Sequence, residues 1–259
     1  MKLIKFICIW LIFFVVQYLQ IKLSNRHTVY CLMITGHNEQ RYAYAKVSID
    51  NFNLQTYKNK KLVIINQNVK SLMTSENENI LEVFVDTKNK SLGILRNISL
   101  SFVPPDGYWT PWDDDDWRHP NYLSIMMKKM MNKNVEFLMY QNRLEMNSKN
   151  KFCFKTKIKS GTMQFFAKNN PYLKYEDKNV LEDVQMKNFA LNNLKTYIYD
   201  NDPSLYIRTI HDENTSNYVN NNKTKIRDTK HHKEYFEDEV EMEEKIYTEK
   251  ILSTYYSNV

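Results

Sequence analysis

Glycine occurs only 4 times and proline 6 times in 259 residues, which excludes collagen-like, linker-dominated and low-complexity architectures. The three cysteines, Cys8, Cys31 and Cys153, are too few and too scattered for a disulfide framework or a cysteine-rich zinc site. With so little glycine there is no G-x-x-x-x-G-K-[ST] phosphate loop, and the calcium-loop spacing with its central Gly and closing Glu is absent too. Charge of one sign is also scarce. The net charge is +6, but residues 1–26 carry four basic groups and no acid, and residues 217–259 carry seven basic and nine acidic groups, so the middle of the chain holds only +4. A protein that neutralises a run of nucleic-acid phosphates would cluster far more Lys and Arg, so no nucleic-acid partner is expected. What is present is 42% hydrophobic and 14% aromatic residues, enough to bury the core of one large or two small domains.

The single long apolar run lies at the start. Lys2 and Lys5 precede Phe6 to Leu19, which is interrupted only by Gln17. Sixteen residues from Phe6 to Ile21 would span about 24 Å as a helix, short of the roughly 30 Å hydrocarbon core. Gln20-Ile21-Lys22-Leu23 offers no small-residue cleavage site. The reading is therefore an uncleaved anchor over residues 1–24, touching membrane through residues 3–23, with a cleaved signal or a buried helix as alternatives. Lys22 and Arg26 on the far side leave its orientation open. At the other end, residues 217–259 read as a charged tail, with seven acids and no bases from Glu234 to Glu244. Phe236, Val240, Tyr247 and Ile251 fall near helical spacing, so part of it is either a peripheral amphipathic helix or flexible chain.

Residues 25–216 form the expected folded domain. Residues 28–35 are a continuous apolar run of strand formers ending in Gly36-His37-Asn38-Glu39, and residues 40–53 carry Tyr44, Val47, Ile49 and Phe52 near helical spacing. A second apolar run at Lys61–Asn66 and a third at Ile80–Asp86 read as strands, Ser91–Phe102 as a helix, and Tyr108–Trp112 as a strand running directly into acids. Such alternation predicts an α/β fold with a mostly parallel sheet covered by helices on both faces. Ligands of such sheets bind beyond the carboxyl ends of the strands, which draws attention to Thr35–Glu39, Asn66–Asn68, Asp86 and Asp113–Asp116.

Trp112-Asp113-Asp114-Asp115-Asp116-Trp117-Arg118-His119-Pro120 is the most informative stretch. Four successive carboxylates repel one another unless something positive sits among them. A run of Asp in a loop is often merely solvated, but this one follows a strand, lies between two Trp and precedes a helix opened by Pro120. Hard cations such as Mg2+ or Mn2+ take oxygen ligands and keep positions open for substrate phosphates, so metal with diphosphate is the leading reading.

Together with that run, Thr35-Gly36-His37-Asn38-Glu39, Gln55-Thr56-Tyr57 and Leu92-Gly93-Ile94-Leu95-Arg96-Asn97 resemble, in order and spacing, the family 2 glycosyltransferases with the GT-A nucleotide-sugar fold. The resemblance continues through Gly161-Thr162-Met163, Leu181-Glu182-Asp183-Val184 and Tyr206–Thr215, and covers about residues 28–216. It implies a metal-dependent, inverting transfer of sugar from a nucleoside-diphosphate donor to a hydroxyl on a glycan, lipid or protein acceptor. It aligns the DxD motif with Asp113 and Asp115, making Asp115 the metal ligand and Asp113 the group facing ribose or donor sugar, with Asp114 beside it. His211 matches a position that completes the metal shell, although a lone His more often makes an ordinary hydrogen bond. Asp183 is implied to be the catalytic base, where the plain alternative for Glu182-Asp183 is a pair of helix-start acids. Thr35, Asn38, Glu39, Asn66 and Arg96 complete the implied donor site. Arg96 would pair with a phosphate or hold an acid of the run. Asn66 stands where the family commonly has an Asp that reads the base, and Thr35-Gly36-His37 replaces a more usual Pro-Thr-Tyr. Trp109, Trp112 and Trp117 suit either sugar stacking or core packing.

Two other classes compete. A glycosyltransferase-like domain that binds without turnover is one. A metal-dependent nuclease or phosphotransferase is the other, which the missing phosphate loop and weak basic charge disfavour.

Overall fold

A computed structural model of the chain describes residues 27–73, 75–86, 88–141, 143–147, 153–155, 164–200 and 202–211. The expected anchor, the expected C-terminal tail and Gly161-Thr162-Met163 lie outside the described residues.

β1 (Val29–Ile34), β2 (Lys60–Asn66), β3 (Ile80–Phe84) and β4 (Tyr108–Pro111) are parallel neighbours in the order β4-β1-β2-β3. Beyond β4 the sheet continues with β9 (Phe165–Lys168), antiparallel to both β4 and β6 (Phe137–Tyr140), and ends on β10 (Thr196–Tyr199), parallel to β6. The seven-stranded order is β10-β6-β9-β4-β1-β2-β3. A smaller sheet, β5 (Trp117–Arg118), β11 (Tyr206–Ile210), β7 (Leu144–Asn147) and β8 (Cys153–Lys155), stands beside it.

Among the described residues, four helices cover the large sheet: α1 (Glu39–Asn53), α2 (Leu92–Leu100), α3 (Tyr122–Lys133) and α4 (Val184–Asn193). Successive strand residues point to opposite faces, and β1 shows the result. Val29, Cys31 and Met33 pack with Ala45, Ile49 and Phe52 of α1 and with Met126, Met127 and Met130 of α3. Leu32 and Ile34 pack the other way, with Leu95 and Leu100 of α2 and with Met186 and Ala190 of α4. Burial of both faces explains why the strands read as unbroken apolar runs rather than alternating ones. Cys31 lies at the centre of this sheet, where burial raises its thiol pKa and leaves it a protonated core residue.

The chain proceeds from β1 outward through β2 to β3, then returns to place β4 on the other side of β1. That reversal opens a crevice beyond the carboxyl ends of β1 and β4, the position where open α/β sheets bind ligands. Thr35–Asn38 and Asp113–Asp116 are the segments that leave those two strand ends.

Candidate active site

The acid run is held in place from its backbone outward. Trp112 continues β4 by donating its N–H to Leu32 O at 2.9 Å. The α1 residue Asn51 bonds both sides of Arg118, donating Nδ2 to its carbonyl at 2.7 Å and accepting its N–H at 3.0 Å. Gln55 extends the clamp, donating to His119 O at 2.9 Å and accepting from Leu123 N at 3.1 Å, while Thr56 N bonds Pro120 O at 2.8 Å. The Gln55-Thr56 pair thus docks the loop and opens α3. Arg118 lies under the run, its guanidinium 4.2 Å from the Trp112 ring centre and 5.2 Å from that of Tyr206, donating to Pro111 O at 3.2 Å. Trp109, Trp112 and Trp117 are all buried, so packing is their role.

Each of the four carboxylates has a different partner set. Asp113 bonds Arg96 Nη2 at 2.9 Å. Asp114, fully buried, accepts from Gly36 N at 3.2 Å and from Arg41 Nη2. Asp115 Oδ2 meets Arg41 Nη1 and lies 2.9 Å from His211 Nε2. Asp116 accepts Thr209 N at 2.9 Å and the Tyr206 hydroxyl. The antiparallel pairing of β5 with β11 is what carries Tyr206, Thr209 and His211 to the run. Burial, with repulsion from Asp115 behind it, raises Asp114 despite Arg41, and raises Asp116 despite Arg118. Burial would raise Asp115 as well, but Arg41 and His211 outweigh it and hold its carboxyl below the usual range.

A second acidic pair faces the run across the cleft. Arg96, buried in α2, donates Nε to Glu182 at 3.1 Å while its Nη2 holds Asp113. Burial raises the Glu182 carboxyl, opposed by Arg96. Asp183 is the N-cap of α4 and forms an ion pair with Lys187 one turn on, Oδ2 to Nζ 2.6 Å. The rest of the Leu92–Asn97 motif docks this wall. Gly93 N bonds Lys178 O at 3.0 Å, and a Cβ there would lie 1.7 Å from Glu176 O, so only glycine allows the approach. Asn97 clamps Tyr175 by donating to its carbonyl at 2.8 Å and accepting its N–H at 2.9 Å. Leu181, at φ 60°, turns the chain in the left-handed region immediately before Glu182.

These groups enclose a cleft of about 570 Å³, large enough for a small ligand. Thr35, Asn38, Arg96, Asp113, Asp114, Asp115 and Asp183, all singled out in the sequence, line it. Three others do not. Glu39 is exposed in the first turn of α1. His211 lies behind Asp115 and against the Tyr44 ring, 4.9 Å between centres. Asn66, at the end of β2, spends its amide on the protein: Nδ2 donates to Lys70 O at 2.9 Å and to Glu82 at 2.7 Å, and Oδ1 accepts Asn68 N at 2.7 Å. It shapes the following loop, whose Gln67 is the residue on the cleft.

Sequence reasoning missed Arg41, Lys187 and the Arg143–Glu145–Arg208 group. Arg143 Nη2 and Arg208 Nη1 meet Glu145 Oε1 at 2.6 Å and 3.4 Å, and both arginines line the cleft. Arg41 and Lys187 carried a signal, as basic residues one helical turn from Asn38 and Asp183. Arg143 carried none, and Arg208 lay unremarked inside the Tyr206–Thr215 match, because only the smaller sheet's pairing brings the two together.

No protein-family model matches the chain, and no curated protein sequence matches it. Solved structures do. TarS of S. aureus, residues 1–349 in complex with UDP-GlcNAc, superposes with a TM-score of 0.57 at 10% identity, covering 90% of this chain and 72% of that one. The same protein in complex with UDP gives 0.52 at 11% identity, covering 88% and 70%. The mannosyltransferase PcManGT from Pyrobaculum calidifontis, in complex with GDP-Man and Mn2+, gives 0.50 at 12% identity, covering 89% and 70%. At these identities the likeness is one of fold, and the fold is that of the GT-A-type glycosyltransferases.

Proposed function

We propose that the protein transfers a sugar, with inversion, from a nucleoside-diphosphate donor to a hydroxyl acceptor. One observation carries this reading: the acid run at the sheet's switch point and the Glu182–Asp183 pair face each other across one cleft and are tied by Arg96. The fold shared with nucleotide-sugar transferases supports it.

The donor diphosphate lies among Arg41, Arg143 and Arg208, with its ribose or sugar toward Asp113. Asp183 takes the proton of the acceptor hydroxyl as that oxygen attacks the anomeric carbon from the face opposite the diphosphate, so that one positioned carboxylate serves an in-line displacement. Lys187 orients that carboxylate from the next turn of α4. Asp115 Oδ2 and His211 Nε2 lie 2.9 Å apart beside Arg41 Nη1; the carboxylate is the donor suited to Mn2+ or Mg2+, and the two are the residues that would hold such an ion. When bound, it would neutralise charge on the departing diphosphate.

The test is to incubate the full chain with UDP- and GDP-sugars, Mn2+ and simple hydroxyl acceptors, and to follow released nucleoside diphosphate. Release from one donor, lost in Asp183→Asn, is expected. Tight donor binding with no release under any pairing would contradict transfer and favour a binding module.

A further inference from the structure

The guanidinium of Arg41 sits where a divalent cation would sit. Its Nη1 bonds Asp115 Oδ2 and lies 3.3 Å from His211 Nε2, while Nη2 bonds Asp114 Oδ1. The pose is built into the chain. A side chain at residue 36 would meet the Arg41 stem, with a Cβ 2.5 Å from its Cγ and 2.6 Å from its Cβ, so Gly36 leaves the lane along which the stem runs. The Gly36 N–H also fixes Asp114, the second acid under the fork. Asn38 caps α1 by accepting from the Arg41 N–H at 2.8 Å, which anchors the backbone end of the same residue.

Two cations cannot occupy one point, and the atoms facing Arg41 Nη1 are those assigned above to the ion. We propose that Arg41 and the divalent cation exchange at this point: without donor the guanidinium holds Asp114, Asp115 and His211 together and keeps ion affinity low, and the arriving diphosphate takes over the guanidinium. The planar fork that fits two carboxylates fits phosphate oxygens equally well, so it leaves the acids for a partner of the same kind. Its side chain is 16% exposed and lines the cleft, so the fork moves toward the ligand without its backbone moving. Ion and diphosphate then reinforce each other's binding through Arg41, beyond any direct contact between them. This inference rests on the assignment of Asp115 and His211 as ion ligands.

The experiment uses the full chain, with Mn2+ alone followed by the EPR signal of the free ion, and inorganic diphosphate as second probe. Arg41→Gln is expected to bind Mn2+ at least tenfold more tightly than the wild type without diphosphate, and to bind diphosphate at least tenfold more weakly with Mn2+ present. An arginine that merely braces the acids would give weaker Mn2+ binding in the variant, and that result, or unchanged affinity, overturns the exchange. If Arg41→Gln does not fold, Arg41→Lys keeps the charge but loses the fork. It is expected to tighten Mn2+ about threefold, and no change overturns the proposal equally. Equal Mn2+ binding by wild type and variant removes the exchange alone. No Mn2+ binding by either, with diphosphate bound without metal, removes the ion-ligand assignment and the exchange together.

Discussion

The two walls of the cleft each carry an arginine bonded to acids, buried on one wall and partly exposed on the other, and the two are used differently. On the α2 wall, Arg96 joins acids from separate segments, Asp113 after β4 and Glu182 before α4, and its guanidinium lies 5.6 Å from the Tyr175 ring centre. On the α1 wall, Arg41 reaches Asp114 and Asp115 of the run and lies 3.3 Å from His211 Nε2 after β11, and its fork opens onto the cleft. Arg96 is enclosed, its side chain 9% exposed, whereas that of Arg41 is 16% exposed at the cleft surface. Enclosure, rather than the number of segments joined, thus separates a structural tie from the group proposed to exchange partners.

The sharpest way to break this comparison is at Asp183, the proposed base on the α2 wall. Asp183→Asn is expected to lower the transfer rate by about 10²–10⁴-fold, the range of a positioned general base, with donor affinity unchanged. Single-turnover kinetics beside calorimetric titration check it, and a wild-type rate would remove the base assignment. Next is the tie itself. Arg96→Met leaves the buried Glu182 and the partly exposed Asp113 without their cation, a change of about 3 kcal/mol. Urea unfolding reads that loss, and a cost below about 1 kcal/mol would mean that the walls hold together without Arg96. Gly93→Ala forces a Cβ onto the Glu176 carbonyl and should cost about 1–3 kcal/mol by overpacking while displacing Glu182 and Asp183. Here kcat should fall further than donor affinity, and equal losses would contradict docking as the motif's purpose. The smallest effect belongs to the α1 wall. Gly36→Ala meets the Cγ and Cβ of Arg41, close to the α1 backbone, so stability should fall by about 1 kcal/mol through overpacking. The displaced Arg41 should nevertheless let Mn2+ bind more tightly, and weaker Mn2+ binding would count against a mobile fork.

Much of the fold was legible in the sequence because helices cover both faces of its strands. The apolar runs at 28–35 and 61–66 became β1 and β2 nearly to the residue, and the helix expected over 40–53 is α1. Leu92–Asn97 was legible as a motif but not as a device: only the structure shows glycine for approach, asparagine for a backbone clamp and arginine for the tie. The smaller sheet was not legible, since β5 has two residues and β8 three, and their pairing joins segments up to some ninety residues apart. Asn66 shows a further limit. The family resemblance implied a base reader there, but its hydrogen bonds go to Lys70, Glu82 and Asn68, which nothing in residue type reveals. Arg41 was overlooked because the two segments it connects, the start of α1 and the acid run, are more than seventy residues apart in sequence.

The most direct test of the central claim is the melting temperature of the full chain with UDP, GDP and their sugars, each with and without Mn2+, since a ligand that binds only the folded state must raise it. One nucleoside diphosphate is expected to raise it, more so with Mn2+, and Asp115→Asn is expected to remove the part due to the ion. A folded protein whose melting temperature moves with none of them would contradict a nucleotide-sugar site in this cleft.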